Sequence, residues 1–216
     1  MIIKLTKKEE PMKHLLRVDE KFKFVYSLIG NLEYSLYEDR YRFLVDTIIG
    51  QMLSNKVADV FSKRLEILCG GDIIPSRLQK ISEEEMRSIG LSRVKAGYIK
   101  NLTEKILSGS FDPYSFDQYA DDEIIRQITS EKGFGNWSAK MFLIFVLNRP
   151  DVLPFEDGAF LQSYKWLYSD DNTTQDRIIK NCSAWRPYSS IAARYLYRIL
   201  DQGYTKTNIS IIENNI

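Results

Sequence analysis

The sequence predicts an all-α protein, and three observations carry that prediction. Apolar residues recur at three- and four-residue intervals, as in Val57, Phe61, Leu65 and Leu68. Serine or aspartate stands before many of these runs and glycine after them, the residues that start and stop helices. Alternating strand patterns are nearly absent.

The elements follow in order. Ser54 is available to cap the helix that begins this series, and Gly70-Gly71 stops it. "SEEE", Ser82 to Glu85, has the form of a capping box, and its short helix should end at Gly90. "SRVKAGYIKNLTEKILSG" reads as a helix opened by Ser92 and closed at Gly109. "DDEIIRQITS" is helical, with Asp121 and Asp122 suited to its N-terminus. "EKGFGN" then makes a tight hairpin, with Gly133 and Gly135 able to take the positive φ that other residues resist. The apolar run from Met141 to Leu147 reads as a buried helix from Asn136 to Leu147, because no breaker separates it from Trp137. Ile191, Ala192, Tyr195, Leu196, Ile199 and Leu200 form one stripe, terminated by Gly203. Roughly ten helices result, and "TKTNISIIENNI" reads as a loosely held tail.

At 216 residues the chain can bury a core of its own without a disulfide or metal staple. Cys69 and Cys182 form no CxxC pair and read as reduced, buried thiols of a cytoplasmic protein. Two cysteines exclude an iron–sulfur cluster, which takes about four. The opening "MIIKLTKKEEP" lacks the apolar stretch of a signal peptide, and no window suits a membrane span. Thirty basic against twenty-nine acidic side chains argue against a general polyanion coat but leave room for a local basic face. Thirteen Tyr, eleven Phe and three Trp fit a packed core or, less commonly, base stacking.

A helix, a glycine hairpin and a second helix aim backbone N–H groups outward, which suits a phosphate. Most such turns only reverse the chain. Asp157, before "GAFLQSYKWLY", has two readings as well, since an acidic residue at a helix start is commonly a cap.

Four segments in order shift the balance: "FLVDTIIGQMLSNKVADVF", "IGLSRVKAGYIKNL", "GFGNWSAKMFLIFVLNRPDVLPFED" and "WRPYSSIAARYLYR". Together they resemble the helix-hairpin-helix (HhH-GPD) DNA glycosylases, in particular the short, all-helical members of the 3-methyladenine DNA glycosylase II branch. The likeness runs over roughly residues 15 to 203. It implies two helical lobes, about 38–149 with the helix-hairpin-helix at 121–147, and about 1–37 joined to 150–216.

The resemblance also assigns roles. Asp157 becomes the catalytic carboxylate, stabilising positive charge on the sugar as an alkylated purine leaves. Gly133, Phe134 and Gly135, helped by Lys95, would hold the DNA backbone. Gln51 and Met52 would form the wedge that fills the gap behind a flipped base, although Met52 also reads as an ordinary buried methionine. Trp137, Met141 and Tyr197 would line the base pocket, with aromatic faces favouring a cationic purine; Tyr197 stands where relatives carry tryptophan, and both Trp137 and Tyr197 also read as plain core aromatics. Met141 stands where some bacterial type II enzymes have a tyrosine. The acidic pair is Glu156-Asp157, followed by Gly158-Ala159, where two aspartates and a larger apolar residue are common. Relatives that also cut the strand place a lysine nucleophile where this chain has Trp137, which cannot form a Schiff base.

The implied function is a monofunctional glycosylase that removes alkylated purines from duplex DNA and leaves an abasic site. It would act as a monomer, without a cofactor or catalytic metal; a structural monovalent cation at the hairpin is the one ion the resemblance admits. A non-catalytic module for distorted or abasic DNA, a helical protein-interaction scaffold, and an oxidised-guanine or adenine-mismatch glycosylase are the alternatives.

Overall fold

A computed structural model describes residues 2–170 and 173–213. The chain divides into two compact units, one formed by Tyr37–Leu147 and the other by Met1–Leu36 together with Asn148–Ile216.

The discontinuous unit opens with strand β1 (Ile2–Leu5), helices α1 (Glu10–Val18) and α2 (Glu20–Ile29), and strand β2 (Leu32–Ser35). β1 and β2 pair antiparallel, with Ile2 opposite Ser35 and Leu5 opposite Leu32. This small sheet departs from the all-helical expectation, although helices dominate the chain. Asp19 caps α2 by accepting the Lys21 and Phe22 N–H groups. Its second oxygen accepts Tyr168 Oη at 2.6 Å and Trp185 Nε1 at 2.7 Å, so one carboxylate ties α2 to two distant segments.

The continuous unit follows with α3 (Arg40–Gly50), α4 (Asn55–Leu68), α5 (Pro75–Leu78), α6 (Glu83–Ser88), α7 (Arg93–Leu107), α8 (Asp121–Thr129) and α9 (Asn136–Phe145). Ser54, Ser82 and Ser92 stand at N-cap positions as expected; Ser82 and Ser92 cap with their side chains, Ser54 makes no side-chain cap bond, and the capping box of Ser82 and Glu85 is fully formed. The α4 stripe is shallower than its spacing implies. Leu65 is buried, but Val57 stays 40% exposed. α9 is buried at Ser138, Ala139 and from Met141 to Ile144, the environment that an unbroken apolar run requires. It ends at Phe145, two residues before the expected Leu147, and the chain turns at Asn148 with φ 53.

The first unit then resumes with α10 (Gly158–Tyr168), α11 (Gln175–Cys182), α12 (Ser189–Asp201) and α13 (Ile209–Glu213). The predicted stripe on α12 forms the centre of this unit's core, packed on α10 and α2, with Tyr195 and Leu196 fully buried. The described residues hold thirteen α-helices rather than about ten, because short helices such as α5 and α13 carry too few turns to show a period. The tail is also better held than expected. Trp166 Nε1 donates to Thr207 O at 2.8 Å and Ile209 is buried; residues 214–216 of that segment lie outside the described residues.

Cys69 and Cys182 are free and buried, and burial raises both thiols above their ordinary pKa. Among the described residues no helix is long and apolar enough to cross a membrane, and no group of three or more His, Cys, Asp or Glu side chains is placed to hold a metal.

Candidate active site

The hairpin between α8 and α9 is anchored from below. Glu131, 7% exposed, receives Lys105 Nζ from α7 at 2.8 Å on one oxygen and 2.7 Å on the other. Phe134 N–H closes the turn onto Glu131 O at 3.2 Å, so that amide is spent internally and its side chain is buried. Gly133 has φ +93, and a Cβ there would lie 2.5 Å from Tyr98 Cδ2; both facts require glycine. Gly135 does not share this constraint. It is the N-cap of α9 with φ −124, extended as caps are, and nothing lies near a Cβ built on it. Among the described residues the N–H groups of Gly135 and Asn136 have no acceptor, and Ala139 N–H is the first to close the helix, onto Gly135 O at 3.1 Å. Exposed amides at a helix N-terminus suit an anion.

Beside the hairpin lies the turn after α3. Leu53 N–H bonds Gly50 O at 3.0 Å, and Met52 occupies the left-handed position with φ 60, where glycine or asparagine is usual. A methionine there costs about 1–2 kcal/mol. Its side chain gains nothing in return from burial, being 101% exposed. Gln51 Nε2 donates to Gly133 O at 2.5 Å, which joins this turn to the hairpin. Lys95 Nζ donates to Ile49 O at 2.8 Å and Gln51 O at 2.7 Å, and burial lowers its pKa. The sequence brought Gln51, Met52, Gly133 and Lys95 into one hypothesis, and the fold brings them into one cluster, but with Lys95 bound to backbone carbonyls.

Trp137 and Met141, one turn apart on α9, line a cavity of about 690 Å³ within the continuous unit. Tyr37, Phe43 and Phe145 add aromatic walls, and Asp46 and Asp59 add carboxylates. Burial, and then those two carboxylates, raise the Tyr37 phenol above its usual pKa. This polar side has only a local trace in the sequence. Its signal was the i,i+4 pair Arg42 and Asp46 on α3, where Nε meets Oδ2 at 2.8 Å. The same guanidinium reaches Ser62 Oγ at 2.8 Å and Glu66 Oε2 at 3.0 Å, fastening α3 to α4.

In the other unit, Asp157 is the N-cap of α10. Its Oδ1 accepts Phe160 N–H at 2.8 Å and the residue is 8% exposed. The cap reading is therefore correct as geometry, and it leaves room for a second role. Tyr197, from α12, donates its hydroxyl to the Asp157 carboxylate; burial and that negative charge push the phenol well above its ordinary pKa. Arg194, three residues earlier on α12, lies buried over the Tyr34 ring at 3.9 Å.

The "WRPYSS" stretch explains how the Asp157 loop is held. Arg186 Nε bonds Asp151 Oδ2 at 2.8 Å, and Ser189 Oγ bonds Asp151 Oδ1 at 2.6 Å. Ser190 N–H donates to Pro150 O at 2.9 Å while its hydroxyl accepts Val152 N–H at 2.9 Å. The segment entering α10 is thus stitched to the start of α12 before Asp157 N–H turns onto Pro154 O at 2.9 Å.

Known proteins resemble this chain over most of its length. The family profile described as HhH-GPD superfamily base excision DNA repair protein matches residues 45–187. DNA-3-methyladenine glycosylase 1 of Schizosaccharomyces pombe is 28% identical over 205 residues, which cover 92% of this chain and 89% of that protein. A crystal structure of a DNA-3-methyladenine glycosidase from Bacillus halodurans superposes with a TM-score of 0.81 at 28% identity, covering 94% of this chain and 96% of that one. The S. pombe 3-methyladenine DNA glycosylase in complex with abasic DNA gives 0.81 at 27% identity, covering 88% and 96%.

Proposed function

The chain belongs to the HhH-GPD superfamily of base excision DNA repair proteins, and on that premise we propose that it hydrolyses the N-glycosidic bond of alkylated purines of the 3-methyladenine type in duplex DNA. The observation that supports this best is Asp157, a nearly buried carboxylate held by a backbone amide and a tyrosine hydroxyl.

The chemistry follows from the leaving group. N-alkylation makes the purine cationic, so the bond from sugar C1′ to the base nitrogen breaks with its electron pair going to a base that departs neutral. Positive charge grows on the sugar. A fixed carboxylate stabilises that charge more than it stabilises the ground state, which is what acceleration requires. Water oxygen then bonds to C1′, its proton leaves to Asp157 or to solvent, and free base and an abasic site result.

The other roles belong to the same proposal. The amides of Gly135 and Asn136 take a phosphate, Met52 fills the space a flipped base vacates, and Trp137 and Met141 offer the base an apolar face. Tyr197 serves Asp157 by a hydrogen bond from its hydroxyl, and its ring remains a candidate face for the base. No cofactor is needed. A monovalent cation held at the hairpin would be structural, and no chemical step depends on it. A monomer acting on DNA in the cytoplasm completes the reading.

Incubation with alkylated duplex DNA tests it. Free 3-methyladenine-type bases should appear in solution, strand breaks should need later alkali, and borohydride should trap no protein–DNA adduct. Failure to release any alkylated base overturns the reading; a trapped adduct overturns its monofunctional part.

A further inference from the structure

Lys95 reads from sequence as a phosphate-binding side chain, and its geometry gives it a different task within the protein. An ammonium has three donors, and here two are committed to Ile49 O and Gln51 O, at 2.8 and 2.7 Å. These carbonyls lie where α3 ends, the kind of group a helix leaves unsatisfied at its C-terminus, and a cation there also meets the negative end of the helix dipole. The next residue is Met52, left-handed at φ 60 and fully exposed. From the same turn Gln51 Nε2 reaches Gly133 O at 2.5 Å. Tyr98 sits three residues after Lys95 on α7 and packs against Gly133, close enough that a Cβ there would meet it at 2.5 Å. One turn of α7 therefore braces both the Met52 turn and the hairpin.

We propose that Lys95 is a positioning residue for base flipping, clamping the end of α3 so that the left-handed Met52 is presented outward in fixed register with the hairpin. Inserting the Met52 side chain and gripping the backbone then occur on one preassembled piece of the protein, with no loop to be ordered at the moment of flipping. The proposal rests on the glycosylase reading and gives it a specific mechanical part. It also removes Lys95 from the set of groups that neutralise phosphates.

The two roles differ in what they predict for Lys95→Met, which keeps a long apolar stem and removes the ammonium. If Lys95 neutralised a phosphate, the substitution would lower the slope of log K against log salt by about 0.9 on undamaged duplex. If Lys95 is a clamp, that slope stays at the wild-type value. Single-turnover excision then slows by about tenfold where the lesion is well paired, and by no more than about threefold where it is mismatched and flipping costs little. The fluorescence rise of a 2-aminopurine placed beside an uncleavable lesion analogue, a report on unstacking that needs no bond cleavage, should shrink in parallel. Lys95→Arg, which retains a cation with several donors, should recover most of both signals.

A slope reduced by about 0.9 would overturn the proposal in favour of direct phosphate binding. Equally slowed excision from paired and mismatched substrates, with a lower melting temperature, would overturn it in favour of plain stability; an unchanged fluorescence rise would overturn it outright. A wild-type protein that unstacks DNA but releases no base would instead contradict the glycosylase reading and leave the clamp standing.

Discussion

The hydroxyl of Tyr197 donates to the carboxylate of Asp157, so the residue proposed to stabilise the sugar cation is held from α12 as well as by the Phe160 amide of its own helix. Tyr197→Phe removes one of these two donors and little else. Excision should slow by roughly 3- to 30-fold, within the range expected for an interaction that orients a reacting group, while binding to abasic duplex stays within about twofold. Because the phenol is pushed well above its usual pKa, it remains protonated across the neutral range and the defect should be equal at acidic and mildly alkaline pH. A defect confined to binding would place Tyr197 in the base pocket instead.

Met52 is fully exposed with φ 60, which separates its cost to the fold from its use. Met52→Ala removes no buried surface, so its melting temperature should stay within about 2 °C of wild type, while excision falls most from well-paired lesions. Met52→Gly relieves the left-handed strain and should gain about 0.5–1 kcal/mol in denaturant melts. A destabilised glycine variant would show that the methionine packs in solution after all.

The two hairpin glycines look alike in sequence and should behave differently. Gly133→Ala must place a Cβ 2.5 Å from Tyr98 at φ +93, and should cost about 2–3 kcal/mol. Gly135→Ala meets open space at an ordinary φ, and should cost no more than about 1 kcal/mol, the penalty of alanine at an N-cap. Gly135→Asp keeps the fold but sets a negative charge beside the exposed amides, so affinity for every duplex should fall alike. Unaltered affinity in that variant would remove the hairpin from the DNA-binding face.

These contrasts mark what was legible in the sequence. Caps and periodicity located helices such as α6 and α7, because Ser82 with Glu85, or Ser92 before α7, act through neighbours a few residues away. The pair β1 and β2 was not legible. Each strand has four residues, too few to show alternation, and Leu5 finds its partner at Leu32. The fate of Lys95 was hidden for the same reason, since its acceptors lie 44 and 46 residues earlier. A basic residue on a helix looks the same in sequence whether it faces a phosphate or a carbonyl. Asp157 was legible as a cap, and the Tyr197 bond that holds it was not, because it depends on how α12 packs on α10.

The most direct measurement is single-turnover excision by Asp157→Asn. Asparagine can still accept the Phe160 N–H bonded at 2.8 Å, so α10 should stay capped and the melting temperature should change little. The negative charge is removed, and one acceptor oxygen becomes an amide donor, toward which the Tyr197 hydroxyl can turn to accept. The account predicts that release of alkylated purines falls by about 10²–10³. Affinity for duplex carrying a neutral abasic mimic should hold, and affinity for a cationic sugar mimic should drop. Excision close to wild type in the folded variant would make Asp157 a helix cap and nothing more, and would contradict the central claim.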